Sequence, residues 1–559
     1  MSPYSLSTAL WQPNELLFLP LGGAGEIGMN LNLYGYAGKW LMVDLGVTFG
    51  DDSVPGIDVV MPDPGFIVER KADLIGLVLT HAHEDHLGAV HHLWRRLRCP
   101  VYATPFTASV LRRKLAEAGL EREVRITEIP MSGRFELAPF QIELITLTHS
   151  IPEPNALVIR TPAGTVLHTG DWKFDPDPLI GPTADEAALR RVGQEGVLAL
   201  IGDSTNVFRP GEAGSEAAVR ASLIELVAKH RQGVAIACFA SNVARLESAA
   251  VAAQASGRQA TLVGRSLWRM NEAARENGYL RDTPPFLSEE RAAGLPPEDV
   301  LLICTGSQGE PRAALSRIAQ GNHPNIALED GGAVIFSSRI IPGNEKAIGR
   351  LQDQLTRLGV EVITEQTEFV HVSGHPARDE LARMYSHVRP HVAVPVHGEM
   401  RHLVEHAKLA RDCQVPVSVV VENGAVVRLA PGEPAIIDKV PVGRLGLDGS
   451  RLVPLDGTVM RDRQRLVHGG AATATLVLDR AGKLLAEPVV SAPGILDPEG
   501  DDAVGAAMRE ALRSAVDQMP PGARRDDGAV REVARSALRR VFKADLGRRP
   551  LTDIHLVRV

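Results

Sequence analysis

The 559-residue sequence predicts an α/β protein with a layered sheet-and-helix domain, a parallel-sheet domain inserted into it, and a small α/β tail. Three observations carry this prediction. Short apolar runs bounded by Gly, Asp or Pro open the chain; from Phe208 the rhythm changes to strand followed by long helix; past Glu361 the strand-and-histidine character of the first part returns. The length is too great for one compact core. With 44% hydrophobic and 23% charged residues, the composition supports real cores and excludes a disordered chain.

Residues 16–21, 40–45, 74–80 and 100–103 read as buried strands, and a helical pattern starts at Leu87. Further strands are expected at 142–148, 156–160 and 164–169, which completes a first layered segment over 1–207. Between 208 and 365, the runs VAIACFA, ATLVG, LLICTG and AVIFSS alternate with helical stretches such as SNVARLESAAVAAQ. Such βα units need a parallel sheet. The first domain resumes over 366–440, with strand character at 369–375 and 392–399. Residues 441–460 are rich in Gly and Asp and read as a linker. The tail, 461–559, is expected to hold strands at 472–479, 484–491 and 553–558 and helices at 503–518 and 527–543.

Four scattered cysteines form no CxxC pair, which argues against a disulfide framework or a thiolate zinc site and fits a reducing cytoplasm. No basic flank with an apolar core stands near the N-terminus, and no stretch is apolar enough to span a membrane, so a soluble, cytoplasmic protein is expected. The net charge of −8 argues against a simple polyanion-coating protein. Residues 451–559, however, carry 18 Lys and Arg against 15 Asp and Glu, and an Arg-rich helix face there reads as solvated or as a phosphate contact.

The 18 histidines drive the functional argument. The stretch T-H-A-H-E-D-H-L-G, directly after an apolar strand, places His81, His83, Asp85 and His86 in one tight turn. Nitrogen and oxygen ligands without thiolate suit zinc or manganese in a catalytic site with open positions. His149, Asp171 and His397 follow at further strand ends, and a carboxylate at Asp171 can bridge two ions. Seven such ligands are what two divalent metal ions need when each keeps room for water or substrate.

The H-x-H-x-D-H pattern, followed at widening intervals by His, Asp and His, resembles the metallo-β-lactamase superfamily. The resemblance implies an αββα sandwich with a di-metal site at one sheet edge. It implies that His81, His83 and His149 hold one metal and Asp85, His86 and His397 the other, with Asp171 bridging. Asp44, in VDLG, matches the early aspartate that orients the ligand loop rather than binding metal. Two metals about 3.5 to 4 Å apart activate a water and stabilise charge on the attacked centre, so hydrolysis is the reaction class. The inserted domain narrows the substrate. Asp203 in GDSTN, His375 in HVSGHP and His397 in VHGE are similar to the β-CASP nucleases. LTHSIPE, HTGDWKFD, TGSQGEP and IIPGNE look like the ribonuclease J family specifically, and with the tail the resemblance covers essentially the whole chain. Trp172 stands where that family usually has Phe, and Pro376 where it has a small residue.

His371, Val372, Ser373, Gly374 and His375 read as a phosphate anchor: two imidazoles, a hydroxyl and a glycine backbone open to close approach. By resemblance the segment holds the phosphate next to the scissile one. That implies 5′-to-3′ exonuclease activity favouring 5′-monophosphate ends, with additional internal cleavage, in messenger RNA decay and RNA maturation. The leaving oxygen needs a proton, with His375 preferred over His397 as its source and Asp203 or Asp175 as the orienting carboxylate. Ser241, Asn242, Arg245 and Gly264-Arg265-Ser266 stand at helix starts, where they either cap helices or meet RNA phosphates. The implied partners are single-stranded RNA, a second copy of the chain through the tail, and other RNA-decay proteins, with no membrane. Two other readings remain open: a β-CASP DNA nuclease, and a catalytically inert RNA-binding subunit.

Overall fold

The computed structural model describes residues 11–497 and 501–559 and divides into two compact units. Of the described residues, the first comprises 11–48 and 61–442, the second 49–60, 443–497 and 501–559.

The first unit contains an eight-stranded sheet, ordered Ala435–Lys439, Ala425–Ala430, Leu16–Gly22, Leu31–Tyr36, Lys39–Val43, Leu74–Val78, Val101–Ala103, Ile126–Glu128. A seven-stranded sheet faces it, ordered Arg134–Leu137, Phe140–Thr146, Asn155–Thr161, Gly164–His168, Ala199–Asp203, Val392–Val396, Val417–Ser418. One apolar layer joins them, with Leu16, Phe18, Tyr34 and Leu41 from the first sheet meeting Phe140, Leu157, Ile159, Val166 and Ile201 from the second. The period-2 alternation sends the neighbouring Ala156, Val158, Leu167 and Leu200 to the opposite face. There they pack against Leu189 and Val192 of helix Glu186–Glu195 and Leu381, Met384 and Tyr385 of helix Arg378–Val388. Burial on both faces explains why these strands read as continuous apolar runs. Beyond the other sheet, helix Pro105–Glu117 packs on strands Val101–Ala103 and Ile126–Glu128. The chain is therefore the αββα sandwich that the resemblance implied.

Between strands Ala199–Asp203 and Val392–Val396, which pair in parallel, the chain leaves to build a second sheet. Its five strands are all parallel, ordered Gln259–Val263, Val300–Cys304, Val234–Ala237, Ala333–Phe336, Glu361–Ile363. Val234 and Ile236 point into one core with helices Glu216–Lys229 and Val243–Ala255, while Ala235 and Ala237 point into another with Ala314–Ala319 and Glu345–Arg357. This is a doubly wound parallel domain.

In the second unit, helices Asp502–Asp517 and Asp527–Leu546 cover a three-stranded sheet ordered Val489–Ser491, Ala471–Leu478, Leu551–Arg558. Three expectations differ from what is seen. Residues 441–460, expected as a linker, carry paired strands Arg444–Asp448 and Arg451–Pro454, and the Gly449 that suggested a linker turns the hairpin at φ 60. The strand expected at 484–491 is confined to Val489–Ser491, with Leu484 making only an isolated bridge to Leu478. Residues 369–375 form no strand. No helix among the described residues is long and apolar enough to cross a membrane.

Candidate metal centre

The strand Leu74–Val78 ends two residues before Thr80, and the chain turns through His81 and His83 into a four-residue helix, Glu84–Leu87, carrying Asp85 and His86. Gly46 permits this turn, because a Cβ there would lie 1.7 Å from the Asp85 carbonyl oxygen. Asp44, at φ 62 after strand Lys39–Val43, holds the turn from below. Its Oδ1 accepts Thr80 N–H at 2.8 Å, and its Oδ2 accepts Thr80 Oγ1–H at 2.9 Å and His86 Nδ1–H at 2.7 Å.

These bonds fix the histidine tautomers. Thr80 spends its hydroxyl proton on Asp44, so it accepts from His81 Nδ1, 3.0 Å away, and His81 Nε2 carries a lone pair. His149 Nδ1 donates to Gly374 O at 2.5 Å, which leaves His149 Nε2 as a lone pair too. His83 Nδ1 lies 3.1 Å from His81 Nε2 and 3.0 Å from His149 Nε2. Burial pushes the pKa of His81 and His149 well down and that of His83 to about 4, so the rings are neutral. A neutral His83 has at most one proton to share between the two lone pairs it faces, and a cation with ligand bonds near 2.0–2.1 Å is the partner that satisfies all three rings.

A second group lies beside the first. Its atoms are His86 Nε2, Asp85 Oδ2, His397 and Asp171, with His86 Nε2 3.1 Å from Asp171 Oδ2 and His397 Nε2 3.2 Å from Asp85 Oδ2. His86 gives its Nδ1 proton to Asp44, so Nε2 is the atom turned to the carboxylates; burial opposes its charge, but Asp171, Asp85 and Asp44 hold the ring's pKa well above the ordinary value, and a cation would take the place of the Nε2 proton. Asp171 belongs to both neighbourhoods: Oδ2 is 4.0 Å from His149 Nε2, and Oδ1 is 3.0 Å from His397 Nδ1. Burial opposes its charge, but the His397, His86 and His375 rings hold its carboxyl well below the usual range. His397 sits at φ 52 after strand Val392–Val396, a backbone conformation a non-glycine residue keeps only where its surroundings enforce it. All seven residues expected as ligands are thus brought together, and the donor set fits divalent metal.

Against this centre lies the segment 371–375. Ser373 Oγ accepts from Asn206 Nδ2 at 2.7 Å and from His375 N–H at 3.2 Å, so its own proton is free to donate. Arg339 Nη1 in turn donates to Asn206 Oδ1 at 2.8 Å. A Cβ on Gly374 would fall 2.6 Å from His149 Nδ1, so only glycine brings the segment this close. His371 Nδ1 is buried without a hydrogen-bond partner. Burial, with Arg245, Lys173, Arg339 and Arg209, keeps that ring neutral. Val372 enters with its backbone only, since its side chain packs in the inserted domain's core. His375 Nδ1 bonds Asp203 Oδ2 at 2.8 Å. Burial works against the charged ring, yet the Asp203 and Asp171 carboxylates raise its pKa to about 9.

One expectation is corrected, and one left open is decided for two residues. Asp175 does not orient His375: its Oδ2 pairs with Lys173 Nζ at 2.9 Å and caps Glu216 N–H, while Oδ1 takes Asp177 N–H. Arg245 meets no RNA at the surface, for it is 0% exposed and pairs with Glu216, and Asn242 caps its helix by accepting Arg245 N–H. Trp172 is accommodated by full burial, edge-on to Phe174 at 4.6 Å. Sequence reasoning assigned no role to Thr80, Asn206 or Arg339. Asn206, three residues past Asp203 in GDSTN, offered a local signal; Arg339 reaches the site only through tertiary folding.

Comparison with known proteins agrees with this architecture. The family described as "Ribonuclease J, beta-CASP domain" matches residues 231–355, "Beta-lactamase superfamily domain" 53–192, "Zn-dependent metallo-hydrolase RNA specificity domain" 343–420, and "Ribonuclease J C-terminal domain" 458–559. Ribonuclease J of Sinorhizobium meliloti is 44% identical over 98% of this chain and 98% of its own. Ribonuclease J of Mycolicibacterium smegmatis is 40% identical over 84% of each. A crystal structure of a protein of unknown function from Enterococcus faecalis V583 shares the fold, with TM-score 0.51 and 15% identity over 74% of this chain and 99% of its own. With the ligand turn, the inserted parallel sheet and the tail all accounted for along its whole length, the chain belongs to the ribonuclease J family.

Proposed function

We propose that this chain is a metal-dependent ribonuclease that hydrolyses RNA phosphodiester bonds at a two-metal centre, removing nucleotides 5′ to 3′ from monophosphate ends and also cutting internally. One observation carries the reading: the His81, His83 and His149 group is hydrogen-bonded through His149 to Gly374, inside the segment that presents Ser373 and His371. A donor set that fits divalent cations and a pocket of phosphate donors therefore share a wall. When bound, two metal ions, zinc or manganese, activate a water and offset charge on the attacked phosphate. Ser373 Oγ–H, held by Asn206, and the neighbouring Arg339 anchor the phosphate adjoining the scissile one. Asp203 accepts His375 Nδ1–H, which leaves Nε2 to carry the proton that the departing 3′ oxygen takes. Asp171, between the two donor groups, would hold both ions, and Asp44 orients His86.

The reading extends to messenger RNA decay and RNA maturation in the cytoplasm. It also includes a homodimer through the second unit, where Val489 and Val557 are exposed on a short sheet. The test is single-nucleotide-resolution hydrolysis of one RNA with a 5′-monophosphate, 5′-triphosphate or 5′-hydroxyl end, in Mn²⁺ or Zn²⁺. Mononucleotides should come chiefly from the monophosphate RNA, disappear with Asp171→Ala, and lose their end preference with Ser373→Ala. Internal cuts indifferent to end chemistry would sink the anchor, and no metal-dependent cleavage would sink the enzyme.

A further inference from the structure

Three stretches of chain meet at one buried carboxylate that the proposed chemistry does not use. Glu380 is 1% exposed, at the third position of helix Arg378–Val388. Its Oε2 accepts Ala377 N–H at 2.8 Å, the bond by which a glutamate there caps its own helix. A cap needs no more than that. Yet Oε2 also accepts Ala213 N–H at 2.8 Å, and Oε1 accepts Phe174 N–H at 2.7 Å. Ala213 lies where the chain passes from the sandwich into the inserted domain, and Ala377 where it returns. Phe174 follows Asp171 by three residues, and Ala377 follows His375 by two.

Parallel ties run beside this knot. Lys173 Nζ donates to Gly214 O at 3.0 Å and pairs with Asp175, which caps Glu216. Glu216 holds Arg245, whose Nη1 donates to Val370 O at 3.0 Å, one residue before His371. Phe174, Lys173 and Asp175 thus link the loop after Asp171 to the crossings of the inserted domain, and Glu380 and the Glu216–Arg245 pair link the two crossings to each other. We propose that Glu380 is a positioning residue that holds the anchor segment 371–375 in register with the loop carrying Asp171. The consequence for end preference rests on the anchor reading above; the register itself does not.

Glutamine at 380 keeps size but replaces one acceptor oxygen by an N–H₂ donor, leaving at least one of the three backbone N–H groups facing another donor. The test compares metal-loaded, full-length wild type with Glu380→Gln, Glu380→Asp and Leu381→Ala. Leu381 is a buried neighbour on the same helix whose loss weakens packing but no tie. Hydrogen exchange should rise about tenfold together in 171–177, 209–216 and 371–379 for Glu380→Gln, and not for Leu381→Ala at matched thermal stability. The ratio of kcat/KM for 5′-monophosphate over 5′-hydroxyl RNA should fall about fivefold in Glu380→Gln and recover in part in Glu380→Asp. Exchange rising only around 377–381 would make Glu380 a helix cap and overturn the proposal, as would joint exchange with an unaltered ratio. A wild type without end preference would sink the anchor reading instead, and the exchange pattern alone would then decide the register.

Discussion

Asp44 takes no position among the facing donor atoms, yet three hydrogen bonds to the ligand turn end on its two oxygens. Replacing it with Asn turns an N–H₂ either to Thr80 N–H, or to both Thr80 Oγ1–H and His86 Nδ1–H, and in the second case removes the acceptor that fixes the His86 and His81 tautomers. Loss of such an outer partner typically weakens metal affinity about 10- to 100-fold. Asp44→Asn should therefore surrender its metal to a chelator at correspondingly lower concentration, with the fold intact by circular dichroism. Retention equal to wild type would show that the turn holds itself. His81, His83, Asp85 and His86 were legible in the sequence because six residues of chain force them together. Asp203 and Asp175 were not separable, since each is a carboxylate near a strand end. What divides them is Lys173, fully buried and needing a counter-ion, which occupies Asp175 and leaves Asp203 to His375.

Elements were legible where burial on both faces made them apolar without a break, as in Val392–Val396 and Val234–Ala237. They were misread where composition stood in for geometry. The glycines and aspartates of 441–460 mark a hairpin turn, and 369–372 run as irregular backbone, with Val370 and Val372 in the inserted domain's core and Phe369 exposed. Helix contacts lay beyond sequence altogether: Glu186 of one helix accepts Arg383 Nη2 at 2.5 Å and His387 Nε2 at 2.7 Å from another. Burial opposes its charge, but His387 and Arg383 lower its carboxyl from the ordinary value. A carboxyl with a depressed folded pKa contributes stability that is present above its unfolded value, near 4.3, and lost as pH falls through the lower folded one. The site is partly exposed, so the effect is small. In wild type the melting temperature should drop more steeply between about pH 5 and 3 than in Glu186→Gln, and parallel curves for the two would deny the link.

Across the whole molecule, every residue of the candidate centre, from Asp44 to His397, belongs to the first unit, and none to the second. The inserted domain sits between strands Ala199–Asp203 and Val392–Val396, so both of its crossings end beside the donors, and Asp203, His375 and His397 converge although far apart in sequence. Linkage then makes a prediction about the molecule as a whole. Without cations, His83 Nδ1 meets two imidazole lone pairs at 3.0–3.1 Å with at most one proton between them, and the carboxylates around His86 have to hold that ring protonated, so the metal-free first unit is less stable than the loaded one. A metal that binds only the folded form adds about 2.7 kcal/mol of stability per site at a hundredfold excess over its dissociation constant. Scanning calorimetry should accordingly resolve a transition that a chelator lowers and added Zn²⁺ or Mn²⁺ restores, belonging to the first unit. A second transition, from 443–559 packed around Leu476, Met508, Leu538 and Phe542, should stay in place through the same titration. Asp171→Ala should shrink the metal-induced shift of the first transition without moving the second. If the chelator moves both transitions equally, the donors do not confine metal to the first unit and the assignment of the centre fails.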